Sequence, residues 1–286
     1  MSIHQCRFVL IAGMPRAGTS MIATVLSRIS GVHIANEAIP GALAGLMASD
    51  RAAATYRMSH PSRQAPNGFD RAGSVLRTLH DIQKFTLTVP GPTADEFLES
   101  YTVHGLKHPG AEQHIEWFRE VFQSPHFLVL LYCLRDFEPF ALSLQHMPWN
   151  QRSMTELYDF WTQRVNTLSD LIEGLPATER NQIVPMHLDA KALAQSELDW
   201  LEKDVLQPLS SALDLEMDVL RHDDTGLPIV HGREERTAVP RRSSLSEDEL
   251  ASLRADDDRY GRAIRATDRL RDLCGVTLHP ACDREP

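Results

Sequence analysis

"RFVLIAGMPRAGTSMIATVLSRIS", residues 7–30, decides the fold. Arg7 to Ala12 is a short apolar run that suits a buried parallel strand better than a half-exposed one. From Gly18 onward, Met21, Ile22, Val25, Leu26 and Ile29 recur at helical spacing until Ser30 and Gly31 end the run. Between strand and helix lies a loop bracketed by Gly13 and Gly18 and followed by Thr19 and Ser20. Such a glycine pair arises by chance about once in a chain of this composition, so its context carries the weight. A glycine loop opening a helix aims free N–H donors and the positive end of the helix dipole at an anion. Loops that hold the terminal phosphates of a nucleoside triphosphate carry a lysine after the second glycine. Here Thr19 stands in that place and Arg16 lies inside the bracket. Arginine offers a planar fork of donors for one phosphate or sulfate without requiring a metal.

Outward from this unit, strand and helix signals alternate. Val32–Ala35 reads as a second short strand, residues 41–56 as a helix, and "SHPSRQAPNG" (59–68) as a break. Residues 70–87 read as a helix, "VPGPTADE" (89–96) as a connection, and "YTVHGLKHPG" (101–110) as a strand ending near Lys107. A helix follows with Ile115, Phe118, Val121 and Phe122 on one face. "FLVLLYCLR" (127–135) is a near-continuous apolar run suited to the centre of a parallel sheet. Residues 136–147 and 153–173 read as helices, "NQIVPMHL" (181–188) as a strand, and 195–213 as amphipathic. After Arg221 the chain is polar and reads as a long surface loop before a charged helix at about 246–273. The alternation predicts an α/β fold: a central parallel β-sheet of the phosphate-loop type, flanked by helices on both faces, with extra helices and a long C-terminal loop. No internal repeat and no compositional linker divides the chain, so one domain spanning 1–286 is expected, with a ligand-binding core at about 5–190 and an extension at about 191–286.

Composition bounds the function. With 286 residues, 42% of them hydrophobic, the chain can bury a substantial core. A formal net charge of −10 argues against a nucleic-acid partner, so any anion site must be local. No apolar run approaches the ~18 residues of a membrane span. The N-terminal "MSIHQCRFVLIAG" lacks a secretion signal, so the expected location is cytoplasmic. Cys6, Cys133, Cys274 and Cys282 form no C-x-x-C pair; Cys133 reads as a buried thiol, and a reducing compartment argues against a Cys274–Cys282 bridge.

"GMPRAGTS" (13–20) resembles the 5′-phosphosulfate loop of sulfotransferases, P-R-[SA]-G-T-[ST], enzymes that use 3′-phosphoadenosine 5′-phosphosulfate (PAPS) and release adenosine 3′,5′-bisphosphate (PAP). The resemblance implies that Pro15, Arg16, Ala17, Gly18, Thr19 and Ser20 hold the 5′-phosphate, with Arg16 and Lys107 supplying the charge. In "YCLRDFEPFALSLQH" (132–146), Arg135 and Ser143 match the family's arginine at a strand end and serine eight residues on, which grip the 3′-phosphate. If Pro139 is the first helical residue, Ser143 lies about one turn in, ~6 Å along the axis. "HGLKHPG" (104–110) resembles the L-K-x-P segment of bacterial and Golgi-type members and would put Lys107 at the ligand edge of the sheet. The likeness covers residues 7–37, 102–109 and 127–146 and thins beyond 150; "MHLDAKAL" (186–193) lacks the family's tyrosine–glutamate pair, which leaves the adenine contacts unassigned. "VPRRSSLSEDEL" (239–250) resembles a late basic loop whose Arg241 and Arg242 reach the 3′-phosphate or the acceptor, or else form a solvated charge cluster.

Sulfuryl transfer to a hydroxyl also needs a base. Glu37, in "VHIANEAIP" (32–40), falls where one branch of the family places its glutamate base; its plain alternative is a carboxylate capping the next helix. His108 is the rival, because Lys107-His108 is a shortened echo of the K-T-H segment of the cytosolic branch. His33, His104 and His114 read as ordinary polar histidines, and no spacing fits a metal site. The acceptor is expected to be a hydroxyl of a small molecule, carbohydrate or lipid, framed by loops 57–69 and 88–101. Trp149, Tyr158 and Trp161 either line its pocket or belong to the core. Two alternatives stand beside this: an ATP- and Mg²⁺-dependent kinase or hydrolase with Asp136 on the metal, and a nucleotide-binding module without turnover. A homo-oligomer is compatible with either.

Overall fold

Continuous apolar runs demand burial on both faces, and the chain meets this demand by placing β1 (Arg7–Gly13) between two strands that are themselves buried. The computed structural model describes residues 5–35, 41–59, 70–87, 93–188, 202–215 and 244–280. After β1 come α1 (Thr19–Leu26), β2 (Val32–Ala35), α2 (Ala42–Ser59), α3 (Arg71–Leu87), α4 (Ala94–Ser100) and β3 (Val103–Lys107). A 3₁₀ turn (Ala111–His114) leads into α5 (Ile115–Val121), β4 (Phe127–Leu134), α6 (Phe137–Gln145), α7 (Met154–Gly174) and β5 (Ile183–His187). Then follow a π-helical turn (Glu202–Leu206), α8 (Gln207–Leu213), α9 (Glu247–Ala255) and α10 (Asp257–Cys274).

The described strands form one parallel sheet in the order β2-β3-β1-β4-β5. Arg7 pairs with Val103 on one side and with Phe127 on the other. Alternation along β1 sends Phe8, Leu10 and Ala12 to one face and Val9, Ile11 and Gly13 to the other. On the first face Phe8 stacks on Phe118 and Phe122 of the α5 region at 5.8 and 4.3 Å, and Tyr132 donates to the Arg164 carbonyl of α7 at 3.2 Å. On the second, Arg7 Nε donates to the Leu213 carbonyl at the end of α8, and Gly18 at the head of α1 lies against Leu188. Helices therefore cover both faces. Phe8 to Ala12 and Val129 to Leu134 are almost wholly buried, each large side chain contributing about 1.5–3 kcal/mol.

The connection leaving β1 runs toward β2, whereas the one leaving β4 runs toward β5. A crevice opens at the C-terminal ends of two such strands, and open α/β sheets bind ligands there. β5 is the outermost described strand on its side. Leu188 N–H donates to the Leu134 carbonyl, so Pro185, of opposite parity, turns its missing N–H outward, as proline in a sheet must.

Three elements differ from their sequence reading. The connection at 89–96 gives way to a helix, α4, started by a capping box in which Thr93 and Glu96 bond each other's backbone N–H. The last charged helix is two, because Asp256 leaves helical geometry and its carboxylate accepts from Arg259 N–H to start α10. In α6, Pro139 is the third helical residue and not the first; it is tolerated there because the first turn's N–H groups have no intrahelical partner. The break at 60–68 and most of the polar stretch after 221 lie outside the described residues.

Candidate functional site

Gly13 ends β1 at φ +123°, and a Cβ built there would sit 2.3 Å from the Cys133 carbonyl oxygen. No other residue fits so close to β4. Met14 N–H donates to the same carbonyl at 2.9 Å, which turns the loop over the end of β4. Pro15 follows, and then Arg16 takes φ +64°, a left-handed conformation rare for a residue with a side chain. Ala17 N–H closes the turn on the Met14 carbonyl. Gly18, at φ +87°, stands at the N-cap of α1 without a capping side chain. The first intrahelical bond is Ile22 N–H to Gly18, so the N–H groups of Thr19, Ser20 and Met21 precede the ladder.

Two cations, Lys107 and Arg135, reach this loop from other elements, and a third, Arg16, belongs to it. Lys107, the last residue of β3, is buried on the same face as Ile11 and Gly13. Burial pushes the Cys133 thiol pKa up, and the Lys107 charge opposes that rise. Arg135, just past β4, donates from Nη1 to the Arg16 carbonyl at 3.0 Å and so braces the left-handed residue. Arg16 in turn donates from Nε to Ser143 Oγ at 3.0 Å. The loop and the strand-end motif, expected at opposite ends of one ligand, are thus joined through Arg16.

Arg135 is the most constrained of the three. Its carbonyl accepts from Trp161 Nε1 at 2.8 Å, while its own Nε is buried without an acceptor among the described residues. Burial lowers its pKa, the adjacent Arg16 charge lowers it further, and Asp136 opposes both. An anion would relieve that strain and satisfy Nε at once.

Asp136, the acidic residue singled out for a metal, is committed elsewhere: its Oδ1 accepts from His187 Nε2 and from the backbone N–H of His279, both at 3.0 Å. Among the described residues no group of His, Cys, Asp and Glu is placed to hold a metal. His108 is half-buried and its N–H donates to the Ile11 carbonyl at 3.0 Å, locking the turn after Lys107. Tyr158 and Trp161 are fully buried core, and Trp149 is exposed. Glu37, Arg241 and Arg242 lie outside the described residues. Trp161 as a brace and the Asp136–His187 contact were not legible in sequence, since a helix-spaced tryptophan and an aspartate before a helix look like core and cap. A cavity of about 640 Å³ runs along the outer edge of β5, lined in part by His187, Lys203, Cys274 and Thr277, apart from the loop.

No protein-family model and no curated protein matches the chain. Among solved structures it is similar to the sulfotransferase domain of the Synechococcus PCC 7002 olefin synthase, with 15% identity and a TM-score of 0.47 over 92% of this chain and 94% of that one. It is also similar to a sulfotransferase from Alicyclobacillus acidocaldarius, with 15% identity and a TM-score of 0.49 over 94% of this chain and 96% of that one.

Proposed function

We propose that this protein transfers the sulfuryl group of PAPS to a hydroxyl of a small molecule, carbohydrate or lipid. The observation that carries the reading is the chain of contacts Arg135–Arg16–Ser143, which gathers the loop and the strand-end motif at the β1–β4 crevice. A buried arginine Nε without an acceptor among the described residues, beside a second guanidinium and a buried lysine, fits a polyanion. In this reading the N–H groups of Gly18 to Ser20 and the Lys107 ammonium hold the 5′-phosphate. Arg135 and Ser143 hold the 3′-phosphate, and Arg16 bridges the two.

In the transfer step the acceptor oxygen forms a bond to sulfur as the bond from sulfur to the 5′-phosphate oxygen breaks, and PAP leaves. The acceptor proton passes to a base, Glu37 or His108. Charge grows on the departing phosphate oxygen, where fixed N–H groups and Lys107 stabilise it. The loop needs no reorganisation to do so, because Gly13, Arg16 and Gly18 already hold their left-handed geometry. The alternative that uses ATP and Mg²⁺ asks for a free carboxylate at a strand end, and Asp136 is bonded to His187 and His279.

Calorimetry with PAP, with and without Mg²⁺, tests the reading. Metal-independent binding that Arg135→Ala weakens by about 30- to 150-fold is expected. ATP binding only with Mg²⁺ would replace it with the kinase reading, and binding of neither would leave a module without turnover. Labelled sulfate from PAPS, offered with a panel of hydroxyl acceptors, then identifies the substrate. In that assay Glu37→Gln is expected to lower kcat by about 10²–10⁴. A full rate in Glu37→Gln passes the role of base to His108.

A further inference from the structure

We propose that Asp136, His187 and the tail around His279 form a positioning device for the two residues that grip the 3′-phosphate, Arg135 and Ser143. This rests on the donor reading above for what those residues hold, but the device itself is independent of it. Asp136 is the N-cap residue of α6 and belongs to the residue types best suited to capping, yet its side chain makes no cap hydrogen bond. The carboxylate turns away from the helix and accepts from His187 Nε2, at the end of β5, and from His279 N–H. Phe137 N–H donates back to the His279 carbonyl at 3.2 Å, so the tail is stitched to residues 136 and 137 at two points.

Both side chains are only about three-quarters buried, with 25% of Asp136 and 22% of His187 exposed, so water could have satisfied the carboxylate. Burial raises the Asp136 pKa, but the His187 and His279 contacts outweigh it and hold the carboxyl below its ordinary range. Along the chain Asp136 falls between the two gripping residues. Arg135 precedes it, and Ser143 rides on the helix it opens, so three elements far apart in sequence set where that helix starts. Trp161 fixes the preceding carbonyl from a fourth. Hence His187 and the tail act on the site through Asp136 without touching the ligand.

Asp136→Ser separates positioning from mere structure. Serine caps a helix as well as aspartate does but is too short to reach His187, so folding stability should hold. Amide hydrogen exchange by mass spectrometry is the deciding readout. Peptides spanning 13–20 and 135–143 should exchange about tenfold faster in Asp136→Ser and in His187→Phe, and at the wild-type rate in His187→Gln, whose amide restores the donor. The PAP dissociation constant should rise about tenfold in the first two variants with an unchanged melting temperature. Wild-type exchange in Asp136→Ser overturns the proposal, whatever PAP does. If the wild-type protein fails to bind PAP, the donor reading falls and the exchange result still decides this one.

Discussion

Single residues carry the loop. Gly13 occupies a φ open to glycine and touches the β4 backbone, so Gly13→Ala meets both strain and a clash with main chain that cannot swing aside. A loss of about 3 kcal/mol in urea unfolding is expected, and a loss below about 1 kcal/mol would mean the strand ends part easily. Arg135→Lys is expected to retain part of the PAP affinity through charge alone. Arg135→Ala should lose about 2–3 kcal/mol in calorimetry, since a charged, forked hydrogen bond disappears. Gly13 was readable because its chemistry is written in residue type: glycine where a side chain is forbidden. The direction of the Arg16 side chain was not readable, because it depends on Ser143 arriving from a helix 127 residues on.

At the scale of elements, start signals were the most legible and stop signals the least. Ser153–Glu156 and Ser246–Glu249 form capping boxes where α7 and α9 begin, close to the starts read from sequence. The equivalent Thr93–Glu96 box is hard to see in the sequence because the prolines and glycine just before it read as a connection. Ser153→Ala should cost about 1 kcal/mol, read as a lower urea midpoint with an unchanged slope.

Two elements meet at His104 of β3, which sits beside His33 of β2 and against Phe97 of α4. Burial, aided by the His33 charge, lowers its pKa to about 4, with contacts to the Leu98 and Tyr101 backbone opposing. The folded imidazole therefore resists a proton that the unfolded one accepts near pH 6.5. Stability from this group is full above that pH and is lost as pH falls from 6.5 toward 4, about 2 kcal/mol of it between pH 7 and pH 5. His104→Phe should flatten that part of the pH–stability curve measured by urea unfolding; an unchanged slope would place the acid sensitivity elsewhere.

On the scale of the whole molecule, α10 closes the fold by packing on α7. Arg269 reaches Asp170 and Glu173, and Arg259 reaches Asp159. These partners are largely solvated, so Arg269→Ala should cost no more than about 1 kcal/mol, shrinking further in 1 M salt, by thermal unfolding at two ionic strengths. Fold class was legible from alternating strand and helix signals, but strand order was not. No local pattern states that β1 lies between β3 and β4, because that follows from crossovers that bury every apolar face. The order also dictates a sequence of events on the ribosome. Arg7 waits for Val103 and Phe127 before its strand has a neighbour on either side. At 5–20 residues per second, that leaves a greasy ribbon without a companion for roughly 10 seconds. The nascent chain should then be a client of holding chaperones until β4 has cleared the exit tunnel.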